Sequence, residues 1–118
     1  MVEKDDDLRS LYRRKLEQKF QGCVVVEAPS GAEALDVLGH ASIDAIVVNQ
    51  AALDGTGLEV LQTIRRTDAR IPLVSIGPAQ VEGEALRSGA TVFIDDRRWA
   101  DLGKTVEEVL PKNSEEAK

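Results

Sequence analysis

Short apolar runs alternate with amphipathic stretches along almost the whole chain, and that alternation restricts it to very few folds. The runs "CVVVEA", "AIVV", "IPLVSI" and "TVFI" are too short for helices and rich in β-branched residues, so they read as strands. Helical patterns lie between them. In "DDDLRSLYRRKLEQKF", Leu8, Leu11, Tyr12 and Leu16 recur at helical spacing, with carboxylates in front and mostly bases behind, as the helix dipole favours. Gly22 can end that helix. "SGAEALDVLGH" opens on a capping box formed by Ser30 and Glu33. Leu58, Leu61 and Ile64 mark a helix running to about Thr67, and "QVEGEALRSG" is a shorter one weakened by Gly83. Trp99, Leu102, Val106, Val109 and Leu110 mark a closing helix stopped by Pro111.

A β-α repeat of this kind implies an open parallel sheet with helices on both faces. The apolar continuity of "AIVV" agrees, since a strand covered on both sides has no polar face. With 118 residues there is room for one domain, residues 1–111, followed by a polar tail at 112–118. Aromatic residues are only 3% of the chain, so its core is built from Val, Leu, Ile and Ala. The first strand is confined to "MVE", although in a flavodoxin-like strand order it would be central. Two readings stand open: the natural chain begins upstream, or the fold tolerates an abbreviated strand.

Charge and composition exclude several functions. A net charge of -6 leaves no excess of Lys and Arg for neutralising phosphates, and the paired arginines at 13–14, 65–66 and 97–98 lie beside carboxylates. Direct nucleic-acid binding is not expected. No apolar run approaches a membrane span, and no signal sequence is visible. Cys23 is the only cysteine, which forbids an internal disulfide and fits a reducing cytoplasm; beside "VVVEA" it reads as a small buried hydrophobe.

In open α/β sheets, functional groups gather at the C-terminal ends of the strands. Here those positions hold Glu3, Lys4 and Asp5, then Asn49, Gly77, and Asp95 with Asp96. The stretches "VEKDDDLRSLYRRKLE", "APSGAEALDVL", "DAIVVNQAALDGTGLEVL", "IPLVSIGPA" and "LRSGATVFIDD" resemble, in order and spacing, the response-regulator receiver domains of two-component signalling. The resemblance covers nearly the whole chain. It implies a flavodoxin-like fold: five parallel strands in the order 2-1-3-4-5.

In receivers an acidic pair after the first strand holds Mg2+, and an aspartate after the third accepts a phosphoryl group. A Ser or Thr after the fourth strand and a Lys after the fifth contact the phosphate. Carried onto this chain, the resemblance implies a dismantled set. Asn49 stands at the nucleophile position, and its amide cannot form an acyl phosphate. Glu3 keeps one acidic position, Lys4 replaces its neighbour, and Asp5 follows one residue late. Gly77 stands at the hydroxyl position, with Ser75 two residues too early, and Asp96 stands at the lysine position. Lys4 is expected to bond to Asp96, Asp95 or Asn49 in place of a metal; the alternative has Lys4 reaching solvent and Asp96 capping the last helix.

The same resemblance places Phe93 at the switch-aromatic position, where Gly77 leaves no hydroxyl to couple to it. Trp99 is either an interface anchor or a cover for the last helix. His40, alone at a helix end, reads as a dipole contact, and "DGTG" at 54–57 lacks the pattern of a phosphate loop. No cofactor, metal or enzymatic activity is expected. The expected function is a pseudo-receiver: a phosphorylation-independent module binding a protein partner or a second copy of itself. The resemblance puts its working face on the fourth helix, fifth strand and fifth helix, with Glu82, Glu84, Arg87, Arg97, Arg98, Trp99, Asp101 and Lys104. The alternative is a domain that senses a small ligand or ion through the altered pocket.

Overall fold

The structure is a computed structural model, and it describes the chain apart from residues 4, 25, 27, 29, 50–56 and 111–118. Lys4, Pro111, the 112–118 tail and most of "DGTG" therefore lie outside the described residues. The elements follow the alternation of the sequence: α1 (Asp6–Lys19), α2 (Gly31–His40), β1 (Ile46–Asn49), α3 (Gly57–Thr67), β2 (Leu73–Gly77), α4 (Glu82–Arg87), β3 (Val92–Asp95) and α5 (Leu102–Val109). A 3-10 turn, Ala79–Val81, leads into α4, and a second, Asp96–Asp101, leads into α5.

The cap of α2 acts as the sequence suggests, and α1 has one that the sequence reading did not assign. Ser30 Oγ accepts the Glu33 N–H at 3.2 Å, and Asp5 Oδ1 accepts the Leu8 N–H at 2.9 Å. Each satisfies one of the N–H groups that a helix start leaves without a partner. His40 Nδ1 lies 2.8 Å from the Asp36 carbonyl at the end of α2, the helix-end contact expected of it.

Strands β1, β2 and β3 pair in parallel in that order, with Val48 opposite Ser75 and Ser75 opposite Phe93. Every residue of β1 and β2 is buried because helices cover both faces. Alternate strand residues feed two cores. Ile46, Val48 and Leu73 meet Ala34 of α2, Leu61 and Ile64 of α3, and Ala85 of α4. On the opposite face, Val47, Val74, Ile76 and Ile94 meet Tyr12 and Leu16 of α1 with Leu102 and Val106 of α5.

Among the described residues the sheet has three strands. In the first expected strand, Val2 makes single parallel bridges to Ala28 on one side and Val48 on the other. Two expectations need correction. Cys23 is exposed rather than buried, and Val24 beside it is 86% exposed. Finally, the closing helix begins at Leu102. Asp95 caps the preceding "DRRWAD" stretch, and Arg98 leaves helical dihedrals (φ -107°, ψ 29°), so Trp99 sits in a 3-10 turn.

Candidate functional site

At the strand ends, Asn49 and the Asp5 backbone meet the side chain of Glu3. Its side chain is 0% exposed, which a carboxylate tolerates only with partners for its oxygens. Oε1 accepts a hydrogen bond from Nδ2 of Asn49, itself 4% exposed. Oε2 accepts the Asp5 N–H at 2.8 Å. The Asn49 N–H donates to the Val2 carbonyl at 3.0 Å, so strand pairing and the side-chain bond hold the two residues in one geometry. Arg9 on α1 donates to the Glu3 carbonyl at 2.8 Å and reaches Asp6 at 2.6 Å, anchoring the turn between Glu3 and the helix.

The remaining expected residues divide. Asp5 is exposed, and its side chain caps α1 instead of pointing inward with Glu3. Gly77 is the buried last residue of β2, paired with Asp95. Ser75 is fully buried in mid-strand, two residues below the end. Asp95 caps the 3-10 turn by accepting the Arg97 N–H at 2.9 Å and pairs with the Arg97 guanidinium at 2.8 Å. Those contacts hold its carboxyl near a pKa of about 2, below the ordinary 3.8. Asp96 is half-buried. The pairing expected of Lys4 lies outside the described residues.

Tyr12 belongs to the site, and sequence reasoning read it only as part of a helical stripe. Its phenol is 3% exposed and its pKa is raised to about 12, chiefly by burial and further by the negative charges of Glu3 and Asp96. The signal was available: a phenol in a stripe otherwise made of leucines, on the helix that starts beside Glu3. Among the described residues, no group of three or more His, Cys, Asp or Glu side chains is arranged to hold a metal ion. A buried carboxylate bonded to an amide can hold a hydrogen-bond network between the two strand ends.

The expected interaction face is only partly continuous. Glu82, Glu84 and Arg87 are exposed on α4, and Lys104 is exposed on α5. Arg97 and Arg98 are paired within the chain to Asp95 and Asp101. Trp99 turns toward α1, where Lys15 Nζ lies 5.9 Å from its ring centroid. Phe93 is partly buried against the core that contains Ile46, Val48 and Leu73.

A parallel sheet between helix layers, with its polar groups gathered at the carboxyl ends of the strands, is a receiver architecture. The family model described as "response regulator receiver domain" matches residues 1–97, and the chain belongs to that family, the receiver domains of two-component signalling. Among curated proteins, none matches it in sequence. Among solved structures it is similar to a CheY-like receiver domain protein from Methanospirillum hungatei, with TM-score 0.80, 19% identity, and coverage of 98% of this chain and 94% of that one. A LuxR-family two-component response regulator from Aurantimonas gives TM-score 0.81 at 22% identity, covering 92% and 80%. The receiver domain of NtrX from Brucella abortus gives 0.78 at 23% identity, covering 91% and 92%. At these identities the likeness is one of fold. No helix among the described residues is long and apolar enough to cross a membrane.

Proposed function

We propose that this domain is a pseudo-receiver: a cytoplasmic receiver module whose output does not depend on phosphorylation and which acts by binding a protein partner or a second copy. The observation that carries this reading is the buried bond from Asn49 to Glu3. An acyl phosphate needs a carboxylate nucleophile and a divalent cation on oxygen ligands. Here the residue at the end of β1 is an amide. Both Glu3 side-chain oxygens already accept bonds from the protein, and Asp5 caps a helix. The reading includes the receiver strand order 2-1-3-4-5, supported by the bridges of Val2 to Ala28 and Val48.

The working face is α4, β3 and α5. Arg97 and Arg98 hold partners of their own, so the charges offered outward are Glu82, Glu84, Arg87 and Lys104, which form no ion pair among the described residues. Two acidic and two basic groups on one face are compatible with self-pairing and with docking on a protein of mixed charge. They offer no basic footprint for nucleic acid. The burial of Glu3 and Asn49 weighs against the alternative of ligand or ion sensing, since a ligand there would have to displace a formed bond.

Sedimentation equilibrium across protein concentration, at low and high salt, with and without Mg2+ and beryllofluoride, tests the proposal. A dimer weakened by salt and indifferent to beryllofluoride supports self-association through this face. A monomer in every cell assigns the face to a different protein. An equilibrium shifted by beryllofluoride overturns phosphate independence.

A further inference from the structure

Helix α4, Glu82–Arg87, is the shortest α-helix among the described residues, and Ala85 is its one buried residue. Glu82, Gly83, Glu84 and Arg87 are exposed, as is Leu86 at 43%. A helix this short has no stability of its own in water, so it depends on packing. Here that packing rests on a single methyl group.

The two ends of α4 are held very differently. At the C-terminal end, Gly89 takes a left-handed conformation with φ +119°. Its N–H donates to the Leu86 carbonyl at 3.2 Å, and the Ala90 N–H donates to the Ala85 carbonyl at 3.1 Å. This is a Schellman cap, with Ala85 and Ala90 meeting in one core. Arg65 fastens it to α3 through the Gly89 carbonyl, at 2.9 and 2.7 Å. At the N-terminal end, Val81 stands at the cap position with no side-chain bond to the helix, and the 3-10 turn before it has none from Pro78. Gly83 weakens the first turn further. By contrast, Asp5 and Ser30 cap α1 and α2. Helix α5 lacks a side-chain cap too, but it buries Leu102, Gly103 and Val106.

The geometry points to a local two-state element: α4 unwinds from its N-terminal end and re-forms while the sheet stays folded, with Gly89 and Arg65 as the fixed anchor. Few buried contacts and solvent-exposed helical hydrogen bonds let a segment open below global unfolding. Opening lifts Ala85 out of the core and dissolves the array of Glu82, Glu84 and Arg87. A protein partner that binds the formed helix shifts the balance toward it, which gives the domain a switch that needs no phosphate. That consequence rests on the working face proposed above; the opening itself does not.

Native-state hydrogen exchange of the 15N-labelled chain tests this by comparing two amides close in sequence. The Ser88 N–H donates to the Glu84 carbonyl of α4 at 2.9 Å, and the Thr91 N–H donates to the Leu73 carbonyl of the sheet at 2.7 Å. After correction for intrinsic rates, Ser88 is expected to exchange on the order of a hundredfold faster than Thr91, with a weaker dependence on urea. Gly83→Ala adds a methyl that meets only the far end of the Arg87 side chain. It is expected to slow exchange at Ser88 by about two- to fivefold and to leave Thr91 unchanged. Equal rates and equal urea slopes at the two amides overturn the proposal, because α4 then opens only with the whole fold. An equal effect of Gly83→Ala on Thr91, or none on Ser88, overturns it as well. No partner is present in this experiment, so its failure removes the switch and leaves the working face in place, while sedimentation bears on the face alone.

Discussion

Asn49 and Glu3 stand 46 residues apart in sequence, and their side chains meet inside the molecule, the amide donating to the carboxylate. The bond joins the end of β1 to the segment before α1. In a buried setting, such a bond matters less for its net contribution than for the penalty of breaking one half of it.

Glu3→Ala leaves the Asn49 amide and the Asp5 N–H without their acceptor and opens a void, so it is expected to cost about 2–4 kcal/mol. Glu3→Gln keeps an acceptor for Asn49 and loses charge assistance, at about 1 kcal/mol. Urea denaturation of both variants measures the difference. Equal stability for all three proteins removes the bond from the account.

Asn49→Asp sets a second carboxylate against Glu3. Like charges at this range make the pair retain a proton, raising the folded pKa of the pair above its unfolded value. Stability contributed by that proton is present below the unfolded pKa and lost as pH rises through the folded one. The variant is therefore expected to unfold more readily at neutral pH than in mild acid, relative to the parent. Thermal melts across that range check the sign.

Tyr12 gives an alkaline signature. Its pKa rises from 10.0 to about 12 on folding, so the stability this represents is intact below pH 10 and is lost between pH 10 and 12. Across that interval the loss is about 2–3 kcal/mol. Because Tyr12 is the only tyrosine, phenolate absorbance reports on it alone. The absorbance step is expected to coincide with alkaline unfolding, and Tyr12→Phe is expected to delay that unfolding.

Asp95 behaves in the opposite direction. Its hydrogen bonds from the Arg97 side chain and backbone lower its pKa to about 2, so its contribution is present above the ordinary 3.8 and lost as pH falls through about 2. Carboxyl-carbon NMR of Asp95 follows this directly. Arg97→Gln is expected to move the midpoint upward toward the ordinary value.

Arg65 clamps the opposite end of the sheet. It donates to the Gly89 carbonyl at 2.9 and 2.7 Å and to the Ile71 carbonyl at 2.9 Å, joining α3 to the turn before β3. Arg65→Ala strips those carbonyls of their partner and is expected to cost about 2–3 kcal/mol. Gly89→Ala is expected to cost about 1–3 kcal/mol, since Gly89 has φ +119° and an added Cβ would lie 2.9 Å from Arg65 Cβ. Because Arg65→Ala keeps the Cβ that the methyl added by Gly89→Ala would meet, the double variant is expected to lose about the sum, as a double-mutant cycle in urea would show.

Local rules made much of the fold legible. Ser30 and Glu33 announce α2, and the unbroken apolar "IVV" announces a strand covered on both sides; both need only neighbouring residues. The misreadings share one cause, which is dependence on distant structure. Cys23 looks buried beside three valines, yet it is exposed, because burial depends on what packs over a segment and not on its neighbours in sequence. Tyr12 looks like one more apolar helix residue until the packing of α1 brings its hydroxyl within the field of Glu3 and Asp96. Asp5 is two residues from Glu3, yet the start of α1 takes its side chain for a cap.

The most direct test of phosphate independence is an amide NMR spectrum of the chain recorded while Mg2+ and then beryllofluoride are added. The account predicts that the resonances of Asn49, Gly77 and Asp96 stay where they are through both additions. Saturable movement of those three amides with beryllofluoride in the presence of Mg2+ would contradict it, because it would mean the strand ends still assemble a site for a phosphoryl group.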